Sequence, residues 1–68
     1  MFQQPDYFSV CNAFRQSLYI GILDSQGKLH EGVIRKIEVE SGSHKVTNFN
    51  ITMMHVSGKV ETFHAIIQ

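Results

Sequence analysis

Four histidines and one cysteine are the residues of this sequence best equipped for chemistry: His30, His44, His55, His64 and Cys11. Imidazoles bind metals and move protons near neutral pH. A metal site takes three or four ligands at defined spacings, each steadied by an outer partner. No two of these histidines stand one helical turn apart, and none forms a His-x-His pair. Cys11 is too far from any of them along the chain to complete a zinc signature. The histidines therefore read as surface or half-buried strand residues that would make an assembly of this chain mildly pH-sensitive. Cys11 reads as an inert core thiol packed as a small hydrophobe. Nucleophile elbow, phosphate-binding glycine loop and paired-carboxylate motif are all missing. The expectation is a non-enzyme with no cofactor and no metal.

The elements that must position these side chains follow from periodicity. Residues 1–5 read as a loose arm. Asp6 can cap a helix by accepting first-turn N–H groups. Tyr7, Val10, Cys11 and Phe14 then recur at helical spacing, which predicts a helix over 7–16 with one apolar stripe. From Leu18 the period falls to two. Leu18, Ile20 and Ile22 alternate with Tyr19 and Gly21 in a first strand. Asp24-Ser25-Gln26-Gly27 is a turn, with Gly27 supplying a positive φ. A second strand runs from about Lys28 to Val39, with Leu29, Val33, Ile37 and Val39 on one parity. Glu40-Ser41-Gly42-Ser43-His44 reads as a loop. A third strand covers about 46–56, with Phe49, Ile51 and Met53 on one face. Ser57-Gly58-Lys59 turns the chain into a last strand over 60–67. Gln26-Gly27-Lys28-Leu29 and Ser57-Gly58-Lys59-Val60 echo each other, as two hairpins with similar turn chemistry would.

Gly32 interrupts the second strand, and size suggests why. Twelve extended residues span about 40 Å. A compact domain of this length has a radius of gyration of about 11 Å and a diameter near 28 Å. The strand must bend, and a glycine within a strand marks a bulge or a sharp bend. A bent strand shared by two halves of one curled sheet makes a small barrel. The fold class expected is therefore mainly β: a strongly bent antiparallel barrel of four to five strands behind a short helix, in one domain over 1–68.

Composition bounds the rest. A 68-residue chain buries only about 60% of its unfolded surface and needs a staple of some kind. One cysteine excludes an internal disulfide and fits a reducing, cytoplasmic setting. MFQQPDYF lacks the basic and apolar regions of a secretion signal, and no apolar run reaches the length of a membrane span. Six basic residues balance six acidic ones, unlike the basic excess of non-specific DNA binders. Charged residues make up 18% and hydrophobic ones 43%, which fits a chain that hides surface against copies of itself. The apolar last strand, Ile66-Ile67, points the same way, since an exposed edge invites pairing.

Gly27 and the second glycine five residues on, in Gly27-Lys28-Leu29-His30-Glu31-Gly32-Val33-Ile34 followed by Ile37-Glu38, resemble the first motif of the Sm-like superfamily. Within it, Asn12-Ala13-Phe14-Arg15 and Phe63-His64-Ala65-Ile66 resemble the helix and final strand of the Hfq family of RNA chaperones. Phe63 stands where that family has a lysine, and of its lysine–histidine pair only His64 is present. The helix placement and longer third strand are also similar to the Rho-binding antiterminator family. The resemblance implies a small barrel that joins strand edges into rings. It implies either single-stranded RNA or a protein as partner.

Under the RNA reading, stacking aromatics would combine with cations gathered around a ring. The residues expected to carry it are His64, Phe63, Lys36, Arg15 and Tyr19, with Gly27, Gly32 and Gly58 as structural glycines. The other cations, Lys28, Arg35, Lys45 and Lys59, read as solvated charges. The function expected is a non-enzymatic, oligomeric RNA-binding regulator. The alternative is a protein-interaction module of the same fold, such as a regulator of transcription termination.

Overall fold

The computed structural model describes residues 2–42 and 46–68. His44 and Lys45 lie outside the described residues, as does the part of the expected loop beyond Gly42. The order is α1 (Tyr7–Gln16), β1 (Tyr19–Leu23), β2 (Leu29–Gly42), β3 (Thr47–His55) and β4 (Val60–Ile67). The four strands form one antiparallel meander in the order β1-β2-β3-β4. The protein is mainly β: a short N-terminal helix, then four strands in a strongly curled half-barrel. No helix of the described residues is long and apolar enough to cross a membrane.

The helix starts where a carboxylate can cap it. Asp6 Oδ1 accepts from the Ser9 amide at 2.8 Å. It ends at Ser17, whose φ of 55° turns the backbone left-handed. The Leu18 amide then reaches back to the Ala13 carbonyl at 2.9 Å, satisfying an orphan acceptor. Ten residues are marginal as an isolated helix, so packing must hold this one. Val10 and Ala13 are its buried residues. The expected stripe is thus turned by part of a step: Tyr7 and Phe14 are exposed, and Cys11 is half-buried rather than core. Tyr7 leans on Phe49, with ring centroids 5.6 Å apart.

Val10 packs into a core of Ile22, Ile34, Phe49, Ile51, Met53, Phe63, Ala65 and Ile67. Phe49, Ile51 and Met53 share a face of β3, as their spacing predicts. The second strand corrects the single parity expected for it. His30, Gly32 and Ile34 face inward in its first half, while Leu29 is exposed and Val33 half-buried. The pairing with β3 then slips between Ile34 and Lys36. That bulge at Arg35 reverses the parity, and Ile37 packs on the core from the other register. A second slip falls between Val39 and Ser41, and Val39 is exposed. The strand is also longer than expected, since Glu40, Ser41 and Gly42 belong to it.

Fourteen extended residues would span about 45 Å, more than the longest dimension of the molecule, 35 Å. The strand therefore bends, as the size argument requires, and the radius of gyration is 10.9 Å. The bulges lie at Arg35 and Glu40, however, and not at Gly32, where pairing with both neighbours is continuous. Gly32 answers a different need. A Cβ there would stand 2.2 Å from the Met54 carbonyl oxygen and 3.1 Å from the His55 Cα. The backbone of the paired strand β3 occupies the space where a side chain would begin, and only glycine permits that.

Gly27 and Gly58 have φ of 85° and 89°. Each closes a three-residue hairpin loop by the same bonds. The Gly27 amide donates to Asp24 O at 3.0 Å, and the Gly58 amide to His55 O at 2.8 Å. Asp24 N donates to Lys28 O, and His55 N to Lys59 O. A tight turn followed by a left-handed glycine is the common solution for this loop length. In the second hairpin Val56, Ser57 and Gly58 form the loop, and Lys59 is the residue that closes it.

Gly32→Ala sets the Met54 backbone against the new Cβ and should cost about 2–4 kcal/mol in urea unfolding. At Gly42 the nearest atom to a Cβ is Thr47 Oγ1 at 3.9 Å, so Gly42→Ala should change stability by less than about 1 kcal/mol. Equal losses at the two positions would refute the close approach at Gly32.

Candidate functional site

The residues expected to form an RNA site do not converge. Phe63 is 7% exposed and belongs to the core. Its ring lies against that of His30, with centroids 3.9 Å apart, so it presents no face on which a base could stack. His64 alternates with it and points outward. The pairing Glu38↔Asn50↔His64 runs beside Lys36↔Thr52↔Thr62, so His64 and Lys36 share the outer face of the sheet. Each is already engaged with a carboxylate: His64 Nδ1 with Glu40, and Lys36 Nζ with Glu38 at 3.6 Å. Tyr19 is 57% exposed on β1. Arg15 lies on the helix.

The inner face holds a different constellation, which spacing rules did not reveal. Inward-facing residues of β1 are Ile20 and Ile22, and the next of that parity is Asp24. On β2 the stripe reads back from Ile34 through Gly32 to His30. On β3 it runs Phe49, Ile51, Met53, His55. On β4 it reads back from Ile67 through Ala65 and Phe63 to Glu61. Both hairpin turns lie at the same end of the meander. All four apolar stripes therefore end, at that end, in a group able to hold a proton or a metal.

The geometry there is specific. His30 is 3% exposed, and its Nε2 lies 2.8 Å from Asp24 Oδ2. A carboxylate can only accept, so this nitrogen carries the proton. The other oxygen of Asp24, Oδ1, accepts from the Gln26 and Lys28 amides, each at 2.9 Å. One side chain thus closes the first hairpin and orients His30. Nδ1 of His30 faces Glu61 Oε2 at 3.7 Å, beyond hydrogen-bond reach. His55 Nδ1 is 3.1 Å from the Glu31 carbonyl, which likewise requires the proton on Nδ1. His55 Nε2 is buried without a hydrogen-bond partner among the described residues and lies 3.9 Å from Glu61 Oε1. Lys59 Nζ approaches the same oxygen to 3.0 Å.

These contacts shift the carboxyl groups. The hydrogen bond from His30, then that from the Lys28 amide, holds Asp24 below its ordinary value. Lys59 does the same for Glu61, and the Ser9 amide for Asp6.

A third feature is apolar and exposed. Tyr7, Phe8, Cys11, Asn12 and Arg15 line a shallow groove of about 270 Å³ on the outer side of α1. Phe8 is 79% exposed. The helix pattern could have shown this, because Phe8 falls off the buried stripe.

Compared with protein-family models, curated proteins and solved structures, the chain matches none.

A carboxyl whose folded value is depressed contributes stability above its unfolded value, near pH 4, and loses it as pH falls through the folded value. Asp6, Asp24 and Glu61 all have this sign. The urea midpoint should therefore fall between about pH 5 and about pH 3. Asp24→Asn should make that fall shallower. An unchanged slope in the variant would show that Asp24 is not one of the groups responsible.

Proposed function

We propose that this chain is a non-enzymatic interaction module, an Sm-like half-barrel that docks a protein partner through the outer face of α1. The observation that carries this reading is Phe8, a full aromatic side chain left 79% exposed beside Tyr7, Cys11 and Arg15. Aromatic and arginine side chains dominate the energetics of protein interfaces. The helix is anchored from behind by Val10 and Ala13, so its outer side is presented on a rigid support. The paired glycines Gly27 and Gly32 and the curled sheet support the Sm-like assignment.

The RNA reading draws less from the same surface. Lys36, Lys59 and His64 each face a glutamate, and formal net charge is zero. Phosphate binding depends on cations free to neutralise phosphates and so displace the counterions condensed on the nucleic acid. Edge-to-edge ring assembly also gains little support, because the free edge of β4 is occupied by its own chain. The carbonyls of His64, Ile66 and Gln68 accept from Ser25 N at 2.8 Å, Gln4 Nε2 at 3.5 Å and Tyr7 N at 2.8 Å.

Photo-crosslinking separates the two readings. A benzophenone amino acid at Phe8, compared with one at Thr62 on the outer sheet face, should give in native cells a discrete protein adduct from position 8 alone. The adduct should survive RNase and disappear with Arg15→Glu beside it. An RNase-sensitive adduct, or saturable binding of U-rich or A-rich RNA at low salt, would transfer the function to RNA.

A further inference from the structure

Two imidazoles and a carboxylate face one another at the turn end of the core, each with its remaining polar atoms already assigned. His30 donates from Nε2 to Asp24, and its Nδ1 faces Glu61 at 3.7 Å. His55 donates from Nδ1 to the Glu31 carbonyl, leaving Nε2 without a hydrogen-bond partner among the described residues. A histidine that binds a metal nearly always gives its other N–H to a carboxylate or backbone carbonyl, which fixes ring and tautomer. Here one histidine uses each kind of partner. With both rings neutral, two ring nitrogens and a carboxylate directed at one another are a donor set that a divalent cation takes.

We infer that His30 Nδ1, His55 Nε2 and the Glu61 carboxylate form a site for Zn²⁺, held in place by Asp24 and the Glu31 carbonyl. The three ligand atoms lie within 4.8 Å of one another. In a tetrahedral site with bonds of about 2.0–2.2 Å the ligand atoms stand about 3.4 Å apart, so the most distant pair must close by up to about 1.4 Å. Two nitrogens and one oxygen are a known catalytic-type zinc donor set, with the fourth position taken by water. The charges also balance, because the dication meets Glu61 directly and Asp24 through His30. Lys59 is the competing cation. It is mostly exposed and can leave Glu61 or remain on Oε1 while Oε2 binds the metal.

The site would act as a staple. Its ligands come from β2, β3 and β4, and Asp24 ties in the end of β1, so one ion joins all four strands. A chain this small with no disulfide is the kind that gains most from such a device. This role is independent of the docking face on α1, which lies on another element.

The test uses the whole chain after EDTA treatment and dialysis, with Zn²⁺ and Co²⁺ as probes. Zn²⁺ should bind one to one by calorimetry and raise the Tm progressively with concentration. Co²⁺ should give visible absorption bands of a low-coordinate nitrogen–oxygen site. His55→Ala, at the more exposed of the two histidines, should keep the far-UV circular dichroism of the parent and lose the Co²⁺ bands and the Tm response. Glu61→Gln should weaken binding at least tenfold, and Asp24→Asn by about 10–100-fold through His30. His64→Ala, on the outer face, should bind as the parent does. Absence of both Co²⁺ bands and Zn²⁺ stabilisation in the parent protein would overturn the site. So would a folded His55→Ala protein that binds as tightly as the parent, since the metal would then lie elsewhere.

Discussion

The Met54 carbonyl oxygen lies where a side chain at position 32 would begin, and the packing of β3 against β2 depends on that space staying empty. Side chains of a flat sheet stand clear of the neighbouring backbone. Here the backbone of β3, paired with β2 at Gly32, comes so close that a Cβ would meet the Met54 carbonyl oxygen at 2.2 Å. The inward residues of both strands share one interior, where Val10 of the helix packs with Ile34, Ile51 and Met53. The two bulges then let β2 follow the curve to its end. The bulge at Arg35 also changes which parity faces inward, so the same strand can bury His30 at one end and Ile37 further along.

A curled sheet of four strands stops short of closure, and its two edge strands would otherwise expose pairing groups. The chain covers the gap with its own first residues. Gln4 accepts from Leu23 N at 2.8 Å and donates to Leu23 O at 2.9 Å, so its side-chain amide pairs with β1 as a strand would. The same amide reaches Ile66 O, and Tyr7 N binds Gln68 O. Alternate carbonyls along β4 are therefore taken up by the arm, the helix start and the first turn. Residues 1–5, which composition presents as a loose arm, include the seam of the barrel. A glutamine in a polar segment gives no periodic signal for this, because its role depends on two strands that meet only after the sheet has curled.

Much of the architecture was legible for a physical reason. Helix 7–16, the cap at Asp6, the glycine turns and the inward face of β3 are set by local spacing and local backbone geometry, which a sequence displays directly. What the sequence does not display has one cause, pairing between strands. A single parity runs through β2 in the sequence, yet a bulge at Arg35 reverses it, and nothing in Ile34-Arg35-Lys36 announces an unpaired residue. Alternation places either Phe63 or His64 inside, and only the pairing of β4 with β3 decides that it is Phe63. Spacing along the chain separates the histidines, whereas His30, His55 and Glu61 are neighbours only through the pairing of β2 with β3 and β3 with β4.

A usable signal was nevertheless present in the echo between the turns. Aligned on their glycines, the segments are Asp24-Ser25-Gln26-Gly27-Lys28-Leu29-His30 and His55-Val56-Ser57-Gly58-Lys59-Val60-Glu61. The first and last residue of each are the four members of the polar cluster. Three-residue loops of this kind place the flanking residue and the second residue after the closing lysine on the inner side of the sheet. Two such hairpins at one end of a meander must bring four inward positions together. Polar groups are tolerable there and not in the middle of the core, because His55 and Glu61 retain some solvent contact while His30 has a carboxylate for its proton. Similar turns therefore do more than reverse the chain twice. They fix where its buried polar chemistry can sit, and the choice of Asp, His, His and Glu at those four positions is what an apolar core alone would not require.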